Sequence, residues 1–525
     1  MVMLWPVAVV IGVATGYAVT GFRVAIAALQ TLFYGADDVT IHSVVASLPW
    51  YLVLPVPIIG GLVVGQILTR FTPDGKARGV ADVIQAAAVR SGRIERVPGF
   101  ASAAAALVTL STGGSTGREG PAIHLGAVIA SWVSERLRAS GVTARDILGC
   151  AAAAAVSASF NAPLAGALFA LEVVLRHYAL HAFGPIVIAA VAGAVVSRIH
   201  LGDITEFTIP AHTVEFYWEL PAFVMLGIVC GFVAVAMMRT IFLAETVGDR
   251  VQEALSIPDW LRPAVAGALL GVIALQFPHI IGVGYETTSL ALTTQFAFMT
   301  AVLFAIVKVI AVAITMTGRM GGGVFSPALM LGALTGCAFG EIAIGVFPSV
   351  SGSQGLYALA GMGAVAGAVI GAPISSTLIV FELTGDFQVA IAVMVSVSLA
   401  SVVADRMVAR SFFLTQLERQ GLKLADGPQG YLAATVPVIG LMRTGDRRMT
   451  DERCEALHDK GLWLASNATL DTALPMFDQT QDVFIPIMSA PPGREGAEVI
   501  GALFRGDAFK AYSRALEDEL KEEHG

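Results

Sequence analysis

Charge is scarce in this sequence. Only 14% of its 525 residues are charged and 56% are hydrophobic, with a mean hydropathy of +0.74. A water-soluble fold would have too little polar surface to cover itself, so the chain belongs in a bilayer. Cysteine is also sparse. Cys150, Cys230, Cys337 and Cys454 lie far apart, which fits neither a disulfide framework nor a zinc cluster and leaves them as small hydrophobes. There is no basic excess: the formal net charge of -8 argues against nucleic acid as a partner. No H-E-x-x-H metal motif occurs, which argues against a metal-dependent intramembrane hydrolase and gives no reason to expect a cofactor. His177 and His181 have the i,i+4 spacing of a metal face, but no adjacent Glu completes such a set.

Long apolar stretches are present instead, from Val2 to about Val408. Several, including Phe298–Ile314 and Val389–Val403, approach the roughly 20 residues that a spanning helix needs. They predict an all-α polytopic membrane protein. Others, such as Gly120–Ala130 behind the Gly-rich Ser111–Gly117, are shorter and interrupted by Gly or Pro. Irregular backbone at membrane depth is tolerated where it is buried in protein or lines a polar path, so the interruptions predict broken helices around a transport site. The first apolar run lacks a basic flank and a cleavage site and is expected to remain a helix. The last runs into Arg406, Arg410, Arg419 and Lys423, a basic flank that places the carboxyl end in the cytoplasm. Beyond Gly427, Phe484–Met488 and Val499–Phe504 read as strands and Ala508–Leu520 as an amphipathic helix. These predict a small α/β domain over 426–525, ending in the acidic Glu517, Asp518, Glu519, Glu522 and Glu523, after a membrane domain over 1–425.

The membrane part repeats itself. Ala151–Glu172 aligns without a gap on Gly361–Glu382: Asn161-Ala162-Pro163-Leu164 becomes Gly371-Ala372-Pro373-Ile374, and each following helix reaches a glutamate, Glu172 or Glu382. Pro121-Ala122 and Leu125-Gly126-Ala127 likewise match Pro327-Ala328 and Leu331-Gly332-Ala333. Two halves, over about 1–200 and 215–425, therefore share one plan. Paired interrupted segments in two halves of a membrane protein point to a binding site near the midplane.

The sharpest motif is Gly113-Gly114-Ser115-Thr116-Gly117-Arg118-Glu119-Gly120-Pro121, a Gly-rich turn opening an apolar helix. Free N–H groups and the positive end of the helix dipole make an anion site there without a fully charged side chain. Gly321-Gly322-Gly323-Val324-Phe325-Ser326-Pro327 repeats the device, and both Pro121 and Pro327 are tolerated where the first N–H groups have no intrahelical partner. Glu119 is the anomaly. An ionised carboxylate at a helix start competes with an anion for the same donors, and protonation releases it, so the residue is either a movable gate or a permanent cap paired with Arg118.

Gly117-Arg118-Glu119-Gly120-Pro121 and Gly323-Val324-Phe325-Ser326-Pro327 resemble the GREGP and GxFxP signatures of the CLC family of chloride channels and chloride–proton antiporters. The resemblance covers most of Val2–Gly421, including Ala162-Pro163-Leu164-Ala165-Gly166, and suggests a bacterial member. It implies an inverted-repeat fold, a homodimer in the inner membrane and an anion pathway in each subunit. It also implies that Glu119 is the external gate, that amides near Val324 and Phe325, with Gly323, bind the central anion, and that those from Gly117 to Gly120, with Arg118, serve the outer site. Pro121 argues against fluoride as the substrate.

Three departures from the family pattern stand out. Lys76-Ala77-Arg78-Gly79-Val80-Ala81 takes the place of GSGIP, so Arg78 replaces an anion-coordinating serine beside Gly79. Arg78 then binds the anion, clamps Glu119, or faces the inner vestibule. Phe413 stands where a tyrosine hydroxyl commonly closes the inner side of the site. Val173, after Glu172, occupies the place of an internal proton-relay glutamate and cannot carry a proton. Glu172 and Glu382 read as structural helix residues rather than replacement relays. These departures tilt the expectation toward channel-like or weakly proton-coupled movement of chloride. An antiporter without the internal glutamate, and a non-transporting sensor on the same scaffold, are the alternatives.

In the tail, Ala468–Phe477, Val483–Met488 and Val499–Asp507 resemble one CBS module, with a shortened partner around Val436–Met442. Asp507 stands where adenosine-binding members hold ribose, but Phe504 replaces the preceding Ser/Thr. This resemblance implies a dimer contact more than an adenine-nucleotide site.

Overall fold

The computed structural model describes residues 4–177, 180–202, 216–293, 296–348, 351–422, 424, 433, 436–446, 448–459, 461–466, 468–480, 482–489 and 498–524. Lys423, and the expected boundary between membrane part and tail, lie outside them. The helices of the first half are α1 (Leu4–Tyr34), α2 (Ile41–Ser47), α3 (Trp50–Val53), α4 (Pro55–Phe71), α5 (Val80–Val89), α6 (Arg96–Ser111), α7 (Glu119–Leu137), α8 (Gly141–Phe160), α9 (Pro163–Phe169) and α10 (Leu180–Leu201). Those of the second are α11 (Phe216–Leu255), α12 (Arg262–Gln276), α13 (Tyr285–Thr293), α14 (Phe298–Thr317), α15 (Phe325–Val346), α16 (Gln354–Ile370), α17 (Pro373–Thr384), α18 (Phe387–Met407) and α19 (Phe412–Arg419). Seven helices among the described residues are long and apolar enough to cross a membrane, and several others are short apolar segments. The chain is an all-α multi-pass membrane protein with broken helices and a small sheet near its carboxyl end.

Two compact units emerge: Val2–Ile84 with Arg93–Gln416, and Gln85–Gly92 with Leu417–Gly525. In the first, α16 is buried along its whole length, as its uniformly apolar surface requires. Small residues let α15 and α16 approach backbone to backbone; a Cβ on Gly332 would lie 2.2 Å from the Gly361 carbonyl oxygen.

The repeat has a physical counterpart. α8 ends on Asn161 and α16 on Gly371, both left-handed, with φ of 57° and 70°, and the next helix of each half starts on Pro163 or Pro373. Glu382 accepts the N–H groups of Leu164 and Ala165 (2.9 and 2.7 Å) at the start of α9. Glu172 accepts those of Ile374 and Ser375 (3.0 and 2.8 Å) at the start of α17. Each half thus supplies the carboxylate that satisfies orphan donors at a helix start of the other.

In the second unit, β1 (Leu464–Ala465) pairs parallel with β2 (Phe484–Met488), which pairs antiparallel with β3 (Val499–Phe504). Helices Leu470–Gln479 and Arg505–His524 accompany the sheet, and Leu464, Leu470, Phe477, Ile485, Ile487, Leu503 and Ala508 form a core. β2 and β3 have the predicted limits. The last helix begins earlier than expected, at Arg505, and Val436–Met442 contains a short 3-10 turn at Val438–Leu441.

Candidate functional site

The starts of α7 and α15 meet inside the membrane unit. Gly117 N–H donates to the Gly323 carbonyl (2.7 Å) and Gly323 N–H to that of Gly117 (2.8 Å). The approach is close enough that a Cβ on Gly120 would lie 3.2 Å from Gly323 Cα. Thr116 Oγ1 also donates to the Gly323 carbonyl (2.9 Å). The amides of Gly117 and Gly323 therefore tie the two loops together, which corrects the expectation that they face an anion. Helix geometry leaves the next amides, at the first turns of α7 and α15, without intrahelical acceptors. Pro121 and Pro327 each sit two residues beyond a helix's first residue, where a missing N–H removes no helical bond.

Glu119, 2% exposed, fills the space between these starts. Its Oε1 accepts hydrogen bonds from Tyr285 Oη (3.1 Å) and from Ser326 Oγ, while its buried Oε2 has no hydrogen-bond partner among the described residues. Arg118 immediately precedes α7, and its guanidinium carbon stands 4.7 Å from the centre of the Tyr285 ring. A cavity of about 10 Å³ lies beside the carboxylate, lined by Val80, Glu119, Gly120, Ile123, Val156, Phe160, Phe169, Gly323, Val324, Phe325 and Phe413. That is room for about one water molecule. Phe160 and Phe169 pack edge-on against Phe325, at 5.1 and 6.4 Å between centroids. Two helix starts face a space that a carboxylate already occupies. Dipoles and free amides of this kind suit an anion.

Residues 60–405 match the family model of voltage-gated chloride channels. The chain belongs to the CLC family. A ClcB-like protein of Ralstonia nicotianae is 30% identical over 417 residues, 79% of this chain and 96% of that protein. The voltage-gated ClC-type chloride channel ClcB of Escherichia coli is 29% identical over 406 residues, 76% of this chain and 94% of that protein. Two solved structures share the fold. One is a slow cyanobacterial Cl-/H+ antiporter, with a TM-score of 0.67 and 24% identity over 79% of this chain and 97% of that one. The other is a eukaryotic CLC transporter, with a TM-score of 0.69 and 18% identity over 96% of this chain and 97% of that one. As a CLC protein the chain is a membrane anion transporter, and the CLC family consists of transporters rather than enzymes.

The remaining site residues fall in three places. Val80, Val324, Phe325 and Phe413 line the CLC cavity with Glu119. Arg78 does not reach Glu119: its guanidinium pairs with Asp74 (3.2 Å) and Asp82 (3.5 Å), and its backbone N–H donates to Ser102 Oγ (2.9 Å). Gly79 N–H is likewise taken by Asp82 Oδ2 (2.8 Å). Of the three roles open to Arg78, the clamp on Glu119 is not formed: the guanidinium instead makes an Asp74–Arg78–Asp82 set with two carboxylates at i,i+4 spacing. Val173 lies buried in a π-helical turn, Ala170–Leu175, after α9. In the tail unit, Asp507 accepts two hydrogen bonds from Arg443, from Nε (2.6 Å) and Nη2 (2.7 Å). His181 faces Asp146, with Nε2 3.4 Å from Oδ2.

Tyr285 and Lys308 were missed. The Lys308 Nζ donates to the carbonyls of Ile280 and Gly282, both at 3.2 Å, and so holds the loop before Tyr285. Its signal was visible as the one charge in Phe298–Ile314. Tyr285 carried none, since nothing in a sequence brings the start of α13 to the start of α7.

Proposed function

We propose that the protein moves chloride, with bromide and nitrate as related substrates, through one Glu119-gated pathway in each subunit of a homodimer, by channel-like conduction with weak or no proton coupling. The observation that carries this reading is the buried Glu119 carboxylate seated between two helix starts. Ionised, it takes the place of a permeating anion. Protonated, it loses the charge that competes for the donors and swings away, so flux rises as the external pH falls. Amides around Val324 and Phe325 serve the central anion, and those of Glu119 and Gly120 the outer one.

The apolar Val173 supports weak coupling, because a buried valine offers no relay for a proton. Phe413 closes the inner side by bulk alone. Arg78, neutralised by Asp74 and Asp82, organises the loop before α5 instead of gripping the anion. We place the protein in a bacterial inner membrane, with the transport domain over 1–425 and a CBS-like cytoplasmic tail over 426–525 acting as a dimer contact. The engagement of Asp507 by Arg443 argues against adenine nucleotide there.

Chloride efflux from liposomes holding purified protein, measured between mildly acidic and mildly basic pH, tests this. The parent protein speeds up as pH falls, and Glu119→Gln, a mimic of the protonated gate, is fast and nearly independent of pH. A Glu119→Gln protein that keeps the parent's pH profile contradicts the assignment.

A further inference from the structure

The closed gate is held by hydroxyls, and one of them belongs to a residue mounted with unusual care. Tyr285 is the first residue of α13 and follows Gly282-Val283-Gly284, in which both glycines are left-handed, with φ of 63° and 92°. Gly284 has no room for a side chain: a Cβ would lie 2.4 Å from Met330 Sδ. Gly282 N–H donates to the Gly114 carbonyl (3.1 Å), which fastens this loop to the Gly-rich turn that carries Glu119. From the other side Lys308, 1% exposed, donates to the carbonyls of Ile280 and Gly282. The ring itself, 4% exposed, lies under the equally buried Arg118 guanidinium, and burial strengthens such an attraction. Backbone, buried cation and stacked arginine thus all fix where one phenolic hydroxyl points, and it points at Glu119 Oε1.

We propose that Tyr285 is a positioning residue for the gate: its hydroxyl, held by Arg118 and the Lys308-braced loop, retains the ionised Glu119 carboxylate between the helix starts and so sets the pH at which the pathway opens. This rests on the gating role of Glu119 proposed above. A hydroxyl donating to a carboxylate favours its charged form. Among the described residues Tyr285 and Ser326 supply the side-chain hydrogen bonds that Glu119 receives, and removing either loosens the hold on its carboxylate. The other ionisable side chains on the elements packed around the gate include Arg78, Asp82, His124, Arg145, Asp146 and Lys308. None hydrogen-bonds the Glu119 carboxylate among the described residues.

Chloride efflux from proteoliposomes as a function of pH tests the proposal on Tyr285→Phe, which keeps the ring for Arg118 and deletes only the hydroxyl. The midpoint of the pH profile moves upward by about one unit, a roughly tenfold lower proton activity for opening. Ser326→Ala moves it in the same direction. In a Glu119→Gln background, Tyr285→Phe has no further effect on the profile. A merely structural tyrosine would lower flux in both backgrounds without moving the midpoint, and that result overturns the proposal. So does a shift that survives Glu119→Gln. If Glu119→Gln alone retains the parent's pH dependence, the gating reading itself fails, whereas a flat Glu119→Gln profile beside an unmoved Tyr285→Phe midpoint removes only the role of Tyr285.

Discussion

Replacing Glu382 by Gln should loosen the joint between the two halves of the membrane unit. Its carboxylate receives the Leu164 and Ala165 N–H groups at the start of α9, one on each oxygen. A carboxamide keeps one acceptor, turns an NH2 group toward the other donor, and loses the charge that the helix dipole favours. A hydrogen bond to a charged group contributes about 1.5–3 kcal/mol, and a charge at a helix start about 0.3–1 kcal/mol. The expected cost is therefore about 2–3 kcal/mol. Glu172→Gln should cost at least as much, since Glu172 serves Ile374 N–H and Ser375 N–H and also the Ser375 hydroxyl. The fraction of monodisperse protein after heating in detergent reads this out; unfolding of such a chain is an operational, irreversible midpoint. With an unfolding entropy of about 2.1 cal/mol/K per residue carried to this chain length, each variant should fall by about 2–3 °C. Chloride flux at low temperature should persist in both, because neither carboxylate reaches the Glu119 cavity. Midpoints within about 1 °C of the parent would refute the reciprocal-cap reasoning, and a selective loss of proton movement at unchanged stability would make Glu172 a relay instead.

Other expectations follow from the same contacts. Gly332→Ala drives a Cβ into backbone of α16, 2.2 Å from the Gly361 carbonyl oxygen, and overpacking of that kind costs about 1–3 kcal/mol or more; its yield of monodisperse protein should drop sharply, and parent-like yield would contradict the packing described. Arg78→Ser should change chloride affinity by less than about threefold in calorimetric titration, because Asp74 and Asp82 already neutralise the guanidinium; a larger change would restore Arg78 to the anion site. In the tail, Arg448 and Arg443 hold the Asp446 carboxyl down at about 2. A depressed carboxylate contributes stability above its unfolded value, near 4, and loses it as pH falls through about 2, so the Asp446 carbonyl signal in infrared difference spectra against Asp446→Asn should titrate below pH 3. A titration near 4 would break the pair. ATP added to the full-length protein should give no saturable heat, because Arg443 holds Asp507 on both oxygens, and saturable binding would show that the pair yields.

Much of this architecture was legible because Gly and Pro act as punctuation in a hydrophobic chain. The helix starts at Glu119, Pro163, Phe325 and Pro373 follow turns that only glycine, or a tolerated Asn161, can make. β2 and β3 were readable from their apolar runs between turn residues. Hidden were pairings between distant segments. The spacing of Asp74, Arg78 and Asp82 offered local carboxylates for the arginine, and that i,i+4 signal outweighs the family's serine position. Gly117 and Gly323 read as anion donors because a motif shows which amides are free of the helix, not which ones the opposite loop has taken. Tyr285 lay beyond reach for the same reason: hydropathy records depth, and says nothing of which hydroxyl meets which carboxylate.

The central claim is a Glu119-gated anion pathway with little proton coupling. Recording chloride efflux and external pH together from proteoliposomes, with valinomycin added or withheld, tests it most directly. The account predicts electrogenic chloride flux that requires valinomycin, rises as pH falls and carries few or no protons. Proton uptake driven in fixed proportion by the chloride gradient would contradict it.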